Sequence, residues 1–232
     1  NISENFPLLE ELDISLNHFR NLPGFVCHCQ TLLKLNLNNN SLGGLPTTFR
    51  NLTSLKKICL GDNRLSFFPK ELTFLNSLED LYLNGNKISV FPNFLFGELP
   101  SLKRLNLSEN QLISLPDSIG FFKELKVLSV GGNLLTSLPP SLKNLVNLEK
   151  LILFDNRFES FPEIFDSFEK MKELSLRKNE TLTGIPNTIF NLPESCCVNI
   201  EECGFSTGLM QNLYRDSMSL DYFVPRFKFS VF

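Results

Sequence analysis

Few side chains in this chain have intrinsic chemistry. There are six cysteines, at Cys27, Cys29, Cys59, Cys196, Cys197 and Cys203, and only two histidines, His18 and His28. A cysteine nucleophile needs a base within hydrogen-bond reach, so any thiol chemistry would have to draw on one of those two imidazoles. Cys27 and Cys29 are one residue apart, too tight a pair for a zinc knuckle. Glu194, Glu201 and Glu202 would suit a cation, but a solvated strand at the end of the chain is the plainer reading. Gly43-Gly44 and Gly131-Gly132 lack the spacing of a phosphate-binding loop and read as turn residues. No cofactor and no metal are expected, and the chain itself is not expected to be an enzyme.

The composition excludes other classes. Net charge is −3, so no overall basic field advertises nucleic acid or an anionic membrane. No apolar run reaches the ~18 residues of a membrane span, and the first residues do not read as a secretion signal. The cysteines are scattered through the first third and the far end rather than gathered into caps. They are expected as reduced thiols in a cytosol-like compartment. Asn-x-Ser/Thr sequons, among them those at Asn1, Asn51, Asn106 and Asn179, are about what chance gives in so Asn- and Ser-rich a chain.

What organises the chain is a repeat. LEELDISLN (9–17), LLKLNLNNN (32–40), LKKICLGDN (55–63), LEDLYLNGN (78–86), LKRLNLSEN (102–110), LKVLSVGGN (125–133), LEKLILFDN (148–156) and MKELSLRKN (171–179) share L-x-x-L-x-L-x-x-N. The asparagines fall 23 residues apart, with one step of 24. A fixed period of this length means stacked supersecondary units. In L-x-L the side chains alternate, so both leucines point inward from a short strand. Neighbouring strands are expected to pair into one parallel sheet. The asparagine amide both donates and accepts, so it suits the bend off the strand, where backbone groups would be buried unpaired. Asn17, Asn40, Asn63, Asn86, Asn110, Asn133, Asn156 and Asn179 are expected to stack as a ladder.

The other half of each unit carries an apolar residue, a proline and further apolar positions about three apart. Proline suits the first turn of a helix, so a turn of α or 3₁₀ helix is expected on the convex side. Phe19, Phe49, Phe68, Phe91, Phe158 and Phe161 fall at inward positions and read as core. This layout keeps the thiols and the imidazoles apart. His18 follows the Asn17 turn and His28 lies on the convex side, while Cys59 and Cys197 point into the concave face.

The motif is that of leucine-rich repeats, and eight consecutive units carry the resemblance. It implies an α/β solenoid: a horseshoe with a parallel concave sheet and short helical turns outside. The solenoid is expected over residues 1–203, a capping helix over 204–221 and an apolar tail or linker over 222–232. FPLL at 6–9 fits the register of LPSL at 99–102, so the natural chain is expected to extend upstream. SCCVNIEEC (195–203) keeps the strand register, but Cys203 takes the asparagine's place. A last repeat with no following turn to hold would not need the amide.

A narrower resemblance lies at this end. LPESCCVNIEECGFSTGLMQNL and DYFVPRFKFSV are similar to the closing segment of IpaH-type bacterial effectors, with Tyr222, Pro225, Arg226, Phe229 and Ser230 matching. Cys203-Gly204-Phe205 and Val224 depart from that pattern. The resemblance implies a virulence protein secreted into the host cytoplasm. Its repeats would choose the substrate for a downstream E3 ubiquitin ligase domain with a catalytic cysteine. The alternative is a non-catalytic intracellular adaptor built on the same repeats.

Binding is expected on the concave face, a long surface made for another protein. Lys34, Lys57, Arg104 and Lys150 form a broken basic row there, with Arg177 further along. Tyr82, Val127, Ile152 and Phe154 are apolar or aromatic where water is expected, which is typical of interface anchors. Ile152 and Phe154 are expected to hold a host or cellular protein whose acidic groups meet the basic row. The plainer reading has solvated lysines and a Phe154 that packs along its own strand. No nucleic acid is expected as a partner, and a monomer is expected.

Overall fold

The computed structural model describes residues 8–94 and 98–205, and the backbone of 226–228. The expected start of the solenoid before residue 8 and the capping helix beyond residue 205 lie outside the described residues.

Nine three-residue strands follow the repeat: β1 (Glu11–Asp13), β2 (Lys34–Asn36), β3 (Lys57–Cys59), β4 (Asp80–Tyr82), β5 (Arg104–Asn106), β6 (Val127–Ser129), β7 (Lys150–Ile152), β8 (Glu173–Ser175) and β9 (Cys197–Asn199). Each pairs in parallel with the next, and β10 (Arg226–Lys228) extends the sheet beyond β9. The order is strictly sequential, so the sheet is open and curved rather than closed. Parallel neighbours need a crossover of a dozen or more residues, and the 23-residue period supplies it. The register joins equivalent positions, such as Leu35 to Ile58 and Leu128 to Leu151.

One apolar core runs the length of the stack. The inward leucines of the strands, such as Leu81, Leu105, Leu128 and Leu151, are fully buried. Phe49, Phe68, Phe91, Phe158 and Phe161 are buried as well, and Phe19, near the first strand, is partly buried. No repeat could bury this surface alone; each is stabilised by its neighbours.

The convex turns are 3₁₀ helices among the described residues: Gly24–His28, Thr47–Asn51, Lys70–Phe74, Asp117–Phe121, Pro140–Asn144, Phe165–Ser167 and Asn187–Asn191. Pro140 opens its helix as expected, but the proline shared by most repeats sits one residue earlier than a first-turn role would place it. Pro23, Pro46, Pro69, Pro116, Pro139 and Pro186 are the capping residues, and each carbonyl accepts from the amide three residues on. A capping position needs a fixed φ and a free carbonyl, and proline supplies both. Phe165–Ser167 is the exception, with Ile164 as its cap and Pro162 further upstream.

The residue before each asparagine position has a left-handed backbone. Leu16, Asn39, Asp62, Glu109, Asp155, Lys178 and Glu202 have φ between 51° and 58°, and Gly85 and Gly132 stand there in the other two repeats. The strand can reverse within two residues only through this conformation, which costs a side-chain-bearing residue about 1–2 kcal/mol. Leu16 has the least reason to be there, being 79% exposed. Leu16→Asn, copying Asn39 one repeat on, is expected to raise stability by about 1 kcal/mol, read as a higher melting temperature.

Candidate functional site on the concave face

The asparagines hold the frame that presents this face. The Asn133 Nδ2 donates to Val130 O and Gly131 O within its own turn, at 2.9 and 3.3 Å, and to Leu107 O of the preceding repeat at 3.0 Å. Its Oδ1 accepts from the Leu112 amide, also in the preceding repeat, at 2.9 Å. Asn40, Asn63, Asn86, Asn110 and Asn156 repeat the arrangement. Asn179 differs in accepting from the Asn156 amide. The amide therefore reaches backward, not forward. Among the described residues Asn17 bonds only within its own turn, and it is exposed. The last position does have a repeat behind it to hold, against the expectation. Cys203 meets that need with its thiol, which donates to Leu176 O at 3.2 Å.

Three of the four cations of the basic row are paired with acids of the same column. Lys34 pairs with Glu11 at 2.6 Å, Arg104 with Asp80 at 2.6 Å and Lys150 with Glu173 at 2.8 Å, each on the adjoining strand. Lys57 instead lies over the Tyr82 ring, 5.4 Å from its centroid. These pairs follow from the register, which sets the third positions of adjacent repeats side by side. The neighbouring polar groups are also engaged. Asp13 accepts from the Ser15 hydroxyl, the Ser15 amide and Asn36, and these bonds hold its carboxyl below the usual carboxylate range. The N-terminal two-thirds of the face is thus polar and internally satisfied.

The C-terminal third is different. Val127, Ile152 and Phe154 are half-buried on the concave side of β6 and β7 and the bend that follows β7. Phe154 has a seat. A Cβ on Gly131 would lie 2.4 Å from the Phe154 ring, so only glycine leaves room for it. Gly131 is therefore a seat, while Gly132, at φ 64°, is the turn residue. On the other side the Arg177 guanidinium lies over the same ring, 5.8 Å from its centroid. Arg177 Nε is buried with no hydrogen-bond partner. The sequence held the signal, since Gly131, Phe154 and Arg177 are successive residues of one column. Residue types read one repeat at a time do not show the seat. Other exposed apolar side chains lie off this face: Phe67, Val90 and Ile113, each two or three residues before the proline of its repeat.

Five of the thiols are the reverse of activated nucleophiles. Burial pushes Cys196 up to about 12 and Cys203 up to about 11, and it raises Cys27, Cys29 and Cys59 as well. None of the six is bridged. A thiol with a raised pKa stays protonated at pH 8, where only the thiolate reacts. Iodoacetamide at pH 8 is expected to leave Cys27, Cys29 and Cys196 unmodified in the folded protein and to reach them after denaturation. Peptide mapping reads this; rapid native labelling of Cys196 would contradict it. Among the described residues no cluster of three or more His, Cys, Asp or Glu is placed to hold a metal ion. Nor is any described helix long and apolar enough to cross a membrane.

Comparison with known proteins agrees with this geometry. Residues 7–65, 45–88, 76–122 and 100–158 match the family model described as leucine rich repeat, and together they span more than half of the chain. No curated protein matches the chain. Among solved structures, a leucine-rich repeat protein of Leptospira interrogans is 28% identical, with a TM-score of 0.73. The match covers 96% of this chain and 60% of that one, so the chain spans well under two-thirds of it. The plant peptide hormone receptor RGFR1, solved in complex with RGF2, is 25% identical over 85% of this chain and 36% of that one, with a TM-score of 0.66. The leucine-rich repeat domain of a Shigella effector is 24% identical over 98% of this chain and 83% of that one, with a TM-score of 0.61. At that identity the likeness shows the fold alone.

Proposed function

The chain belongs to the leucine-rich repeat family, and we propose that it is a protein-binding module whose partner docks on the C-terminal third of the concave face. The observation that carries this reading is the seated aromatic. Phe154 lies on Gly131 beside Ile152 and Val127, on the side of the sheet that faces solvent. A half-buried apolar cluster on an open sheet adds little to a core that is already complete, but it is the usual chemistry of an interface anchor. The plant receptor of the same fold, solved in complex with RGF2, supports a binding role for a repeat surface. The face offers an apolar anchor bordered by charge that is mostly paired. Its contribution is therefore shape and burial more than a basic field.

Ile152→Ala combined with Phe154→Ala is expected to weaken partner capture by about 30-fold or more, since an anchor truncation costs about 2 kcal/mol or more. The melting temperature should not fall, because neither side chain belongs to the buried core. Unchanged capture would sink the proposal.

In its sharper form, the module selects the substrate of a secreted bacterial effector of the E3 ubiquitin ligase type, acting in the host cytoplasm. Tyr222, Pro225, Arg226, Phe229 and Ser230 support that form. The reading frame beyond Phe232 tests it. A mostly helical domain with a Cys-x-Asp motif is the expected result, and a stop codon or an unrelated scaffold domain would leave an intracellular adaptor.

A further inference from the structure

We propose that Arg177 is a carboxylate receptor, so that the partner presents an Asp or Glu side chain beside the apolar group that meets Ile152 and Phe154. The inference rests on the concave-face reading and adds the chemical identity of the partner's second contact. Of the concave cations, Lys34, Arg104 and Lys150 already hold a carboxylate and Lys57 lies over Tyr82. Arg177 holds none among the described residues. Its guanidinium lies over an aromatic ring, and its Nε is buried without a partner.

The acids in reach along the sheet are engaged elsewhere. Glu173, on the strand before it, is taken by Lys150 at 2.8 Å. Glu201 holds the same column position one repeat on, and its carboxylate accepts from Asn199 Nδ2 at 3.3 Å. A buried guanidinium N–H left unpaired is unfavourable, so the free protein carries an unmet donor beside its apolar anchor. A guanidinium over a ring keeps its in-plane N–H groups for a planar acceptor, and a carboxylate fits that fork. Phe154 thus has two roles, as the apolar contact and as the surface against which Arg177 lies.

The experiment uses a randomised linear peptide library displayed on phage, selected against the wild-type chain, Arg177→Gln, and Ile152→Ala with Phe154→Ala. Wild-type selections are expected to be rich in Asp or Glu next to an aromatic or aliphatic residue. The best such peptide, made synthetically, should bind Arg177→Gln about 10- to 100-fold more weakly, the range of a charged hydrogen bond. Its Asp→Asn or Glu→Gln form should lose as much against wild type and little more against Arg177→Gln, the coupling that a direct contact requires. Arg177→Lys should recover only part of the loss, because an ammonium keeps the charge without the fork. Peptides that depend on Ile152 and Phe154, yet carry no acid and ignore Arg177→Gln, would overturn this inference and leave the concave-face reading standing. Peptides indifferent to all three substitutions, or no enrichment on wild type, would overturn both.

Discussion

Asn133→Ala is expected to destabilise the solenoid by about 2–4 kcal/mol, because one buried amide is left without an acceptor, at about 1–3 kcal/mol, and two buried carbonyls each lose one of their donors. The Leu112 amide would lose its acceptor, and Leu107 O would lose the donor that ties it to the next repeat while keeping that of Asn110 Nδ2. Val130 O would lose its short bond as well. Asn133 is 6% exposed, so water cannot easily replace these bonds. Because the amide reaches back, the damage falls on the joint between two repeats. In a solenoid such a joint is a nearest-neighbour interface, and breaking one can split a single unfolding transition into two. Asn17→Ala is the internal control. Asn17 is exposed and, among the described residues, bonds only within its own turn, so its loss should cost under about 1 kcal/mol. Denaturant melts of the two variants read the contrast, and equal losses would contradict the backward ladder.

Phe165→Ala should cost about 3–5 kcal/mol, the usual range for deleting a buried phenylalanine. The ring is fully buried and forms edge contacts with Phe161 at 5.9 Å and Phe168 at 6.0 Å between centroids. Phe158 continues the stack, 4.8 Å from Phe161. Four rings of one repeat thus fill its convex half, and the short 3₁₀ turn lies among them. Removing the central ring leaves a cavity that its neighbours cannot close without losing their own edge contacts. Phe67→Ala deletes the same atoms at a site that is 74% exposed, and is expected to stay within about 0.5 kcal/mol of wild type.

The repeat was legible because its cause is local. A leucine at every inward strand position and an asparagine at every bend can be read from the spacing alone, and the parallel sheet follows. The direction of the ladder was not legible. One amide can serve either neighbour, and only the fold shows that Leu112 rather than a later residue donates to Asn133. The column of left-handed residues was hidden because seven of its members are not glycine, so the usual signature of that conformation is missing. The prolines marked the convex turns, but their place just outside the 3₁₀ helices depends on bonds that a period cannot specify.

The concave face divides the same way. Its members could be listed from the third, fifth and seventh positions of each repeat. Their pairing could not be listed. Lys34, Arg104 and Lys150 read as free cations one repeat at a time, yet the acids that neutralise them stand one repeat away in the same column. The seat of Phe154 was hidden for a like reason: it is made by an absent side chain at Gly131, in the bend after the adjoining strand.

The central claim, docking on the C-terminal third of the concave face, is tested most directly by photo-crosslinking. A benzophenone side chain placed at Ser129, which pairs with Ile152 across β6 and β7, samples the proposed anchor. The same group at Ser66 samples the other exposed apolar surface, next to Phe67. Irradiation in the protein's native cell or, for an effector, its host cell is expected to give a discrete adduct from Ser129 that disappears with Ile152→Ala and Phe154→Ala. An adduct from Ser66 alone, or one from Ser129 that survives the double substitution, would contradict the account.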